Sequence, residues 1–375
     1  KNLKDAIKSI DDSKGFPEGA RMRWNTEVVW PVENYMRKCS SEDIAKLKKA
    51  VQSGALEINA LYANIQTGLC RPEELMKVLE PSRKLYREFG VKGISAMISD
   101  IPGLSWGIVP VLAEYGIKYL QIGQNQGDRI GNSLSTWGDK PFYWLSPSGK
   151  EKILCFTAGQ GYSFFHAGLN YQKLENPFKE EKLSYYIGEL EKENYPYEIL
   201  PIHYTVGSDN GPVHMDLPSI IKEWNEKYVS PKIIISTTGN FHKIFEAKYA
   251  ARIPVVRGDY TGSWDDGAAS TARETALNRR SSDRLTQAEA LYAITGKKTP
   301  LKEFDKAWEN VLLFSEHTWG SWNSMSDPEN PFTKQQWEVK KSFALKADSL
   351  AGMLINNSLG WSGKGKAVDV YNTSS

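Results

Sequence analysis

Four stretches of the chain carry residues that could do chemistry. In Gly93-Ile-Ser-Ala-Met-Ile-Ser-Asp-Ile-Pro-Gly-Leu-Ser-Trp-Gly107 an apolar run ends on Asp100, a tight Ile-Pro-Gly turn follows, and Trp106 comes just after it. A carboxylate at the C-terminal end of a buried strand is where α/β folds place catalytic groups, although a turn Asp can also serve backbone donors alone. Asp209 occupies the same kind of position, after an apolar run and inside Ser-Asp-Asn-Gly. That tetrapeptide is good turn chemistry by itself, but two carboxylates on one rim are also what glycoside hydrolysis needs: one attacks the anomeric carbon and one protonates the leaving oxygen. In Phe314-Ser-Glu-His-Thr-Trp-Gly-Ser-Trp322, His317 lies beside Glu316 and Trp319. Such a His can be a metal ligand oriented by its neighbour, while a lone His is more often structural. The fourth stretch, Gly258 to Ser270, is dense in Asp, Tyr and Trp and includes Trp264 and Asp266. It joins two differently patterned halves of the chain, a common place for a pocket; Ser263 to Asp266 could equally just cap a helix. His166, His203, His214 and His242 show no ligand spacing, and neither a Gly-rich phosphate loop nor a GxSxG elbow is present.

Placing these residues takes two kinds of element. Residues 1–12 read as a polar helix, and Arg21 to Val28 alternates like a strand. Pro31 opens a helix to Lys38, and Ser41 with Asp43 opens another to Gln52. A strand at 56–60 precedes an amphipathic helix at 72–89, with Leu75, Val78, Leu79 and Leu85 on one face. The strand at 93–99 leads to a helix at 105–116 that Ser105 could cap. Further strands are expected at 117–122, 153–157, 199–206, 233–237 and 254–256, with helices at 180–193, 217–228 and 240–249. Strands separated by helices pair in parallel. Six to eight of them over ~250 residues suit a closed barrel or a large open sheet. After residue 267 only helical pattern remains, at 270–296, 301–314 and 333–357, which predicts a helical bundle. Residues 367–372 alternate like the first strand of something new.

The chain has 375 residues, too many for one ordinary core. With 40% hydrophobic and 25% charged residues it reads as globular, and no apolar run approaches the ~18 residues that span a bilayer. The net charge of +2, with Lys and Arg scattered, argues against a nucleic-acid or polyanion partner. Twelve Trp and 18 Tyr lean toward a ligand with stacking sugar rings. Cys39, Cys70 and Cys155 are odd in number and far apart, so no disulfide framework or CxxC metal site is indicated. Arg273, Arg279, Arg280 and Arg284 read as a solvated or paired basic face. Oligomeric state and compartment are not fixed by composition.

Taken in order, the stretches resemble glycoside hydrolase family 38, the α-mannosidases, in a divergent bacterial form. Asp100 followed by Ile-Pro-Gly-Leu-Ser resembles the family's nucleophile segment, and Gly207-Ser-Asp209 its acid/base segment. The Asp-Tyr-Thr-Gly-Ser-Trp linker and the Ala-Leu-Asn-Arg-Arg helix resemble the start of its helical domain. Glu316-His-Thr-Trp-Gly resembles the place of its zinc-binding His, and Val-Asp-Val-Tyr-Asn-Thr the opening strand of its C-terminal β-sandwich. The resemblance implies a mostly parallel, seven-stranded-type α/β barrel over 1–262, a three-helix bundle over 263–364 and the start of a truncated sandwich at 365–375.

The resemblance also implies a zinc ion that orients the hydroxyls of a terminal mannose. Asp100 would be nucleophile and zinc ligand together, His317 a zinc ligand and Asp209 the acid/base. Trp264 would stack on the sugar and Asp266 bind a hydroxyl, with Trp106, Glu316 and Trp319 as further substrate-binding candidates. The family's first strand carries a His-x-Asp pair with two more zinc ligands; this chain has no such pair, and Leu104 stands where His is usual. The chain, which begins at Lys1, is therefore expected to be a fragment that binds zinc weakly and is inactive by itself. The parent is expected to be a zinc-dependent, retaining α-mannosidase on carbohydrate substrate, in the periplasm or outside the cell rather than in the cytoplasm. Two other readings stand beside it: a metal-dependent carbohydrate deacetylase, where Asp100 and His317 serve a zinc-activated water, and a non-catalytic carbohydrate-binding protein.

Overall fold

In a computed structural model of the chain, the described residues are 1–101, 103–125, 137–157, 161–162, 180–206, 211–260, 268–318, 323–359 and 370–373. They divide into two units, one of residues 1–62 with 79–260 and one of residues 63–78 with 261–375.

In the first unit, Trp24–Thr26 (β1) and Leu56–Ile58 (β2) pair in parallel. Just past β2, the N–H of Ala60 donates to Ser95 O at 3.0 Å. Ser95–Asp100 (β3), Tyr119–Gln124 (β4), Pro141–Leu145 (β5), Lys152–Thr157 (β6) and Val255–Val256 (β7) form a five-stranded sheet in the order β3-β4-β6-β5-β7. β3, β4 and β6 are parallel, so Asp100, Gln124 and Thr157 end at one edge of the sheet. Every residue of β3 before Asp100, and all of β4, is buried. Such continuous burial marks strands covered on both faces.

Helix Thr238–Tyr249 covers the sheet. Its buried Phe245 and Tyr249 pack with Tyr119, Tyr143, Leu154 and Phe156 in one aromatic cluster. Glu246 accepts from the hydroxyls of Tyr119 (2.8 Å) and Tyr143 (2.7 Å), tying helix to sheet. The helix start is held from β1 and β2: Asn25 Oδ1 accepts from Thr238 N at 2.8 Å, and Glu57 Oε2 from Gly239 N at 2.7 Å. A carboxylate at a helix N-terminus is electrostatically favoured. Gly239 has to be glycine, since a Cβ there would lie 2.4 Å from Glu57 Oε1.

The sheet is parallel-dominated, and its departures from the expected pattern have local causes. β5 is antiparallel to β6. The connection, residues 146–151, is far too short for a crossover helix. Residues 199–205 form no ladder strand; Pro201 in the middle lacks the donor a central strand needs. Nor do 233–237, where the side chain of Asn225 satisfies both N–H and C=O of Ile233, at 2.9 and 2.7 Å. The described pairings make a row rather than a closed ring. The expected helix at 72–89 is two helices, Pro72–Lys77 and Glu80–Phe89, with Pro81 opening the second. The helix after the Asp100 turn starts at Ile108 with Gly107 as its N-cap, so Ser105 is not the cap.

In the second unit, helices Ala272–Thr295, Leu301–Ser315 and Pro331–Leu359 bury one core that includes Leu285, Tyr292, Phe304, Trp308 and Leu354. Ala288, Ala307, Ala347 and Ala351 are fully buried there, and such small residues let helices approach closely. Arg280 is paired with both carboxylate oxygens of Asp348, each at 2.8 Å. Residues 370–373 carry no strand.

Candidate active site

Asp100 is the last residue of β3, and its φ is +74°. A non-glycine residue in this region is uncommon, with Asp and Asn the types that tolerate it best. Ile101 N donates to Ser99 O at 2.9 Å, closing a γ-turn around Asp100. The φ-positive γ-turn is the rare, strained hand, and strain of this kind clusters at functional positions. The side chain is half-buried, and its Oδ1 accepts from Asn125 Nδ2 at 2.5 Å.

The chain beyond the turn docks on the residues that follow β7. Leu104 pairs in an antiparallel bridge with Tyr260, and Trp106 N donates to Asp259 Oδ1 at 2.9 Å. Trp106 itself is half-buried. Its Nε1 donates to Leu145 O at 2.7 Å, and the Arg257 guanidinium lies 5.8 Å from its ring centre. Trp137, Phe142, Trp144, Arg257 and Tyr260 line a cleft of about 180 Å³ in this unit. Tyr204 and His214 bracket the Asp209 segment, Tyr204 Oη and His214 Nδ1 being 2.6 Å apart. Burial holds the His214 pKa down. Asp209, Trp264, Asp266 and Trp319 lie outside the described residues.

In the second unit, His317 follows the C-terminus of helix Leu301–Ser315. Its N–H donates to Asn64 O at 2.8 Å, and its Nδ1 lies 2.7 Å from Glu316 Oε1. Glu316 faces Lys340, whose side chain is only 7% exposed. The Lys340 ammonium donates to Leu313 O (3.1 Å), Glu316 O (2.6 Å) and Glu316 Oε2 (3.3 Å). It thus caps the last carbonyls of that helix from the core, where a cation is favoured. Burial alone would raise the Glu316 pKa, but the hydrogen bond to His317 and the charges of Lys340 and His317 outweigh it, bringing it down to about 2. Burial lowers the Lys340 pKa, against the pull of Glu316. Beneath this corner, fully buried Glu74 accepts from Ser315 Oγ at 2.9 Å and from Arg71 N at 3.3 Å. Burial raises its pKa, although those hydrogen bonds oppose the rise.

Lys340 and Glu74 were invisible to pattern reading. Lys340 sits in a long helix whose other lysines, Lys334, Lys341 and Lys346, are exposed or half-buried, and Glu74 reads as an ordinary first-turn acid. Asn125 carried a signal that could have been used: it is the first residue past the strand paired with β3.

The donor set of the described residues falls short of a zinc site. Among them no group of three or more His, Cys, Asp or Glu side chains could hold a metal ion, whereas zinc takes three or four protein ligands. Nor is any helix among them long and apolar enough to cross a membrane.

A mainly parallel sheet with a strained carboxylate at the C-terminal end of a buried strand is the layout of an α/β enzyme scaffold. Residues 20–266 match the model of the glycosyl hydrolases family 38 N-terminal domain, and the chain belongs to that family. Two of the solved structures with a similar fold are these. One is an alpha-mannosidase from Enterococcus faecalis V583, at TM-score 0.69 and 18% identity over 96% of this chain and 40% of that one. The other, a protein in glycosyl hydrolase family 38 from Enterococcus faecalis, gives TM-score 0.59 and 15% identity over 96% of this chain and 38% of that one. The chain therefore spans about 40% of the length of the first of these. No curated protein sequence matches the chain significantly.

Proposed function

We propose that the protein is a retaining, exo-acting α-glycosidase, an α-mannosidase acting on terminal α-mannosides. The observation that carries this reading is the Asp100 corner: a strained carboxylate at the end of a buried parallel strand, inside the span matched by the family. The sugar is taken from the name of the solved E. faecalis relative. In the finer reading the first unit is a closed barrel, the long helices are a three-helix bundle, and the enzyme works in the periplasm or outside the cell.

Asp100 attacks the anomeric carbon, a C–O bond to the carboxylate forms, and the glycosidic bond breaks. Asp209 protonates the leaving oxygen. In the second half Asp209 takes a proton from water, the water oxygen bonds to the anomeric carbon, and Asp100 leaves as carboxylate. Trp106, Trp264, Asp266 and Trp319 are the candidates for sugar contacts, and Glu316 contributes by orienting His317. Zinc belongs to the proposal as a dependence: Asp100 and His317 would supply two ligands, with the remainder from outside the described residues. Bound zinc would hold the sugar's hydroxyls.

The test is hydrolysis of an aryl α-mannoside by the full-length protein, with and without zinc. Zinc-dependent turnover that Asp100→Asn abolishes supports the reading. No turnover of the aryl α-mannoside and no covalent labelling of Asp100 by an activated fluorosugar, with acetate released from an acetylated sugar, points to the deacetylase chemistry instead. Sugar binding that survives in Asp100→Asn/Asp209→Asn, from a wild type that never turns over, points to a binding protein.

A further inference from the structure

We infer that Asn125 is a positioning residue for the nucleophile, clamping Asp100 from the end of the neighbouring strand and fixing the orientation of its carboxylate. This rests on the reading of Asp100 as nucleophile. β3 and β4 pair in register up to Asp100 opposite Gln124, so Asn125 is the first residue past the ladder. There it binds Asp100 twice. Its backbone N–H donates to Asp100 O at 3.1 Å, and its side-chain Nδ2 to Asp100 Oδ1 at 2.5 Å. An ionised carboxylate only accepts, so the amide nitrogen is the end of Asn125 that faces it.

The clamp answers a physical need. A non-glycine residue at φ +74° within a γ-turn is strained and persists only where surrounding bonds over-determine it. Asn125 contacts both the carbonyl and the carboxylate of that residue, so one residue restrains turn and side chain together. When the bond from the carboxylate to the anomeric carbon forms and the glycosidic bond breaks, the side chain becomes an ester whose Oδ1 still accepts from Nδ2. When water releases the sugar, the electron pair returns to the carboxylate and the same hydrogen bond is waiting. Asn125 thus orients the nucleophile throughout the cycle without touching the substrate.

The experiment uses full-length protein carrying Asn125→Ala or the isosteric Asn125→Asp. Three quantities are read: kcat on an aryl α-mannoside, the rate of covalent labelling of Asp100 by an activated fluorosugar, and the inhibition constant of a non-covalent mannose-like inhibitor. A misplaced reacting group costs up to about 100-fold. The expectation is that Asn125→Ala loses about 10- to 100-fold in kcat and labelling rate together, while the inhibition constant stays within about twofold. Asn125→Asp, which fills the same space but sets a like charge against Oδ1, should lose more than Asn125→Ala. Labelling of Asn125→Ala at the wild-type rate would overturn the inference. So would an inhibition constant that rises in step with the loss of kcat, since that marks a general loosening of the site. If Asn125→Ala fails to fold, Asn125→Asp carries the test, and wild-type labelling in it has the same overturning force. A wild type that turns over without being labelled on Asp100 overturns the nucleophile reading instead, a distinct result.

Discussion

Asp100 and His317 both sit at a corner where a regular element has just ended, and the two corners are stabilised by opposite means. The Asp100 corner stores backbone strain in a γ-turn, with hydrogen bonds from the N–H groups of Ile101 and Asn125 across it. Among the described residues the His317 corner has no positive-φ residue, and it is held by charge, with Glu316 between His317 and a buried Lys340. The difference fits the two proposed jobs. A nucleophile has to keep one orientation while it forms and releases an ester, and hydrogen bonds to its carbonyl and to one carboxylate oxygen hold it there. A metal-binding imidazole has to keep one orientation and one tautomer, and a carboxylate on its Nδ1, itself pinned by an ammonium, supplies both.

The sharpest way to break the comparison is at the nucleophile. Asp100→Asn keeps a residue that tolerates positive φ, so the fold should stay intact while hydrolysis of an aryl α-mannoside falls by at least about 10³-fold. Circular dichroism alongside the assay separates the two effects. Loss of fold with loss of activity would mean that the carboxylate is structural.

The charged corner should respond in stability. Lys340→Met leaves Glu316 without its buried partner and should destabilise the second unit by about 3–5 kcal/mol in denaturant unfolding. Adding Glu316→Gln should restore a good part of that. The pH dependence has a defined sign. The folded-state pKa of Glu316 lies near 2, below its ordinary 4.5, so its contribution is present above about pH 4.5 and is lost as pH falls toward 2. Glu316→Gln should flatten acid unfolding in that window.

The strained corner offers a smaller effect of the opposite kind. Asp100→Gly and Asp100→Ala both remove the carboxylate and its bond to Asn125, but glycine accepts positive φ without a Cβ penalty. Asp100→Gly should therefore be more stable than Asp100→Ala by about 1–2 kcal/mol. Equal melting temperatures would mean that the turn relaxes when the side chain goes, and the contrast between a strained corner and a charged one would fail.

Much of this was legible in the sequence, for a physical reason. Buried strands and long amphipathic helices announce themselves by period, so the runs ending at Asp100 and Gln124 and the three long helices could be read within a few residues. Asp100 was legible because a polar residue ending an apolar run is a local event. What was hidden depends on partners distant in sequence. β5 opens with Pro and runs Phe-Tyr-Trp-Leu without alternation, and its place in the sheet is decided by the hairpin to β6. The stretch around Pro201 has strand-like residues but cannot donate at the proline. The φ of Asp100, the clamp from Asn125 and the burial of Lys340 are all settled by packing, which no window of neighbouring residues contains.

The last prediction concerns Glu74, and its effect should be the smallest. It lies beneath the His317 corner, holding Ser315 Oγ and Arg71 N, and burial raises its pKa. The sign is the reverse of that for Glu316. A carboxyl whose folded-state pKa is raised contributes stability below its unfolded pKa and loses it as pH rises through the folded value. Wild type should therefore weaken with rising pH above about 4.5, whereas Glu74→Gln, which keeps the shape and one acceptor without titrating, should not. Near pH 4 the two proteins should melt together; near pH 8 the variant should be more stable by on the order of 1 kcal/mol, a few degrees in melting temperature. If Glu74→Gln is instead the weaker protein at pH 8, Glu74 is ionised in place and stabilised by partners beyond Ser315 and Arg71. The charged corner would then extend deeper into the unit, and its contrast with the strained Asp100 turn would be greater still.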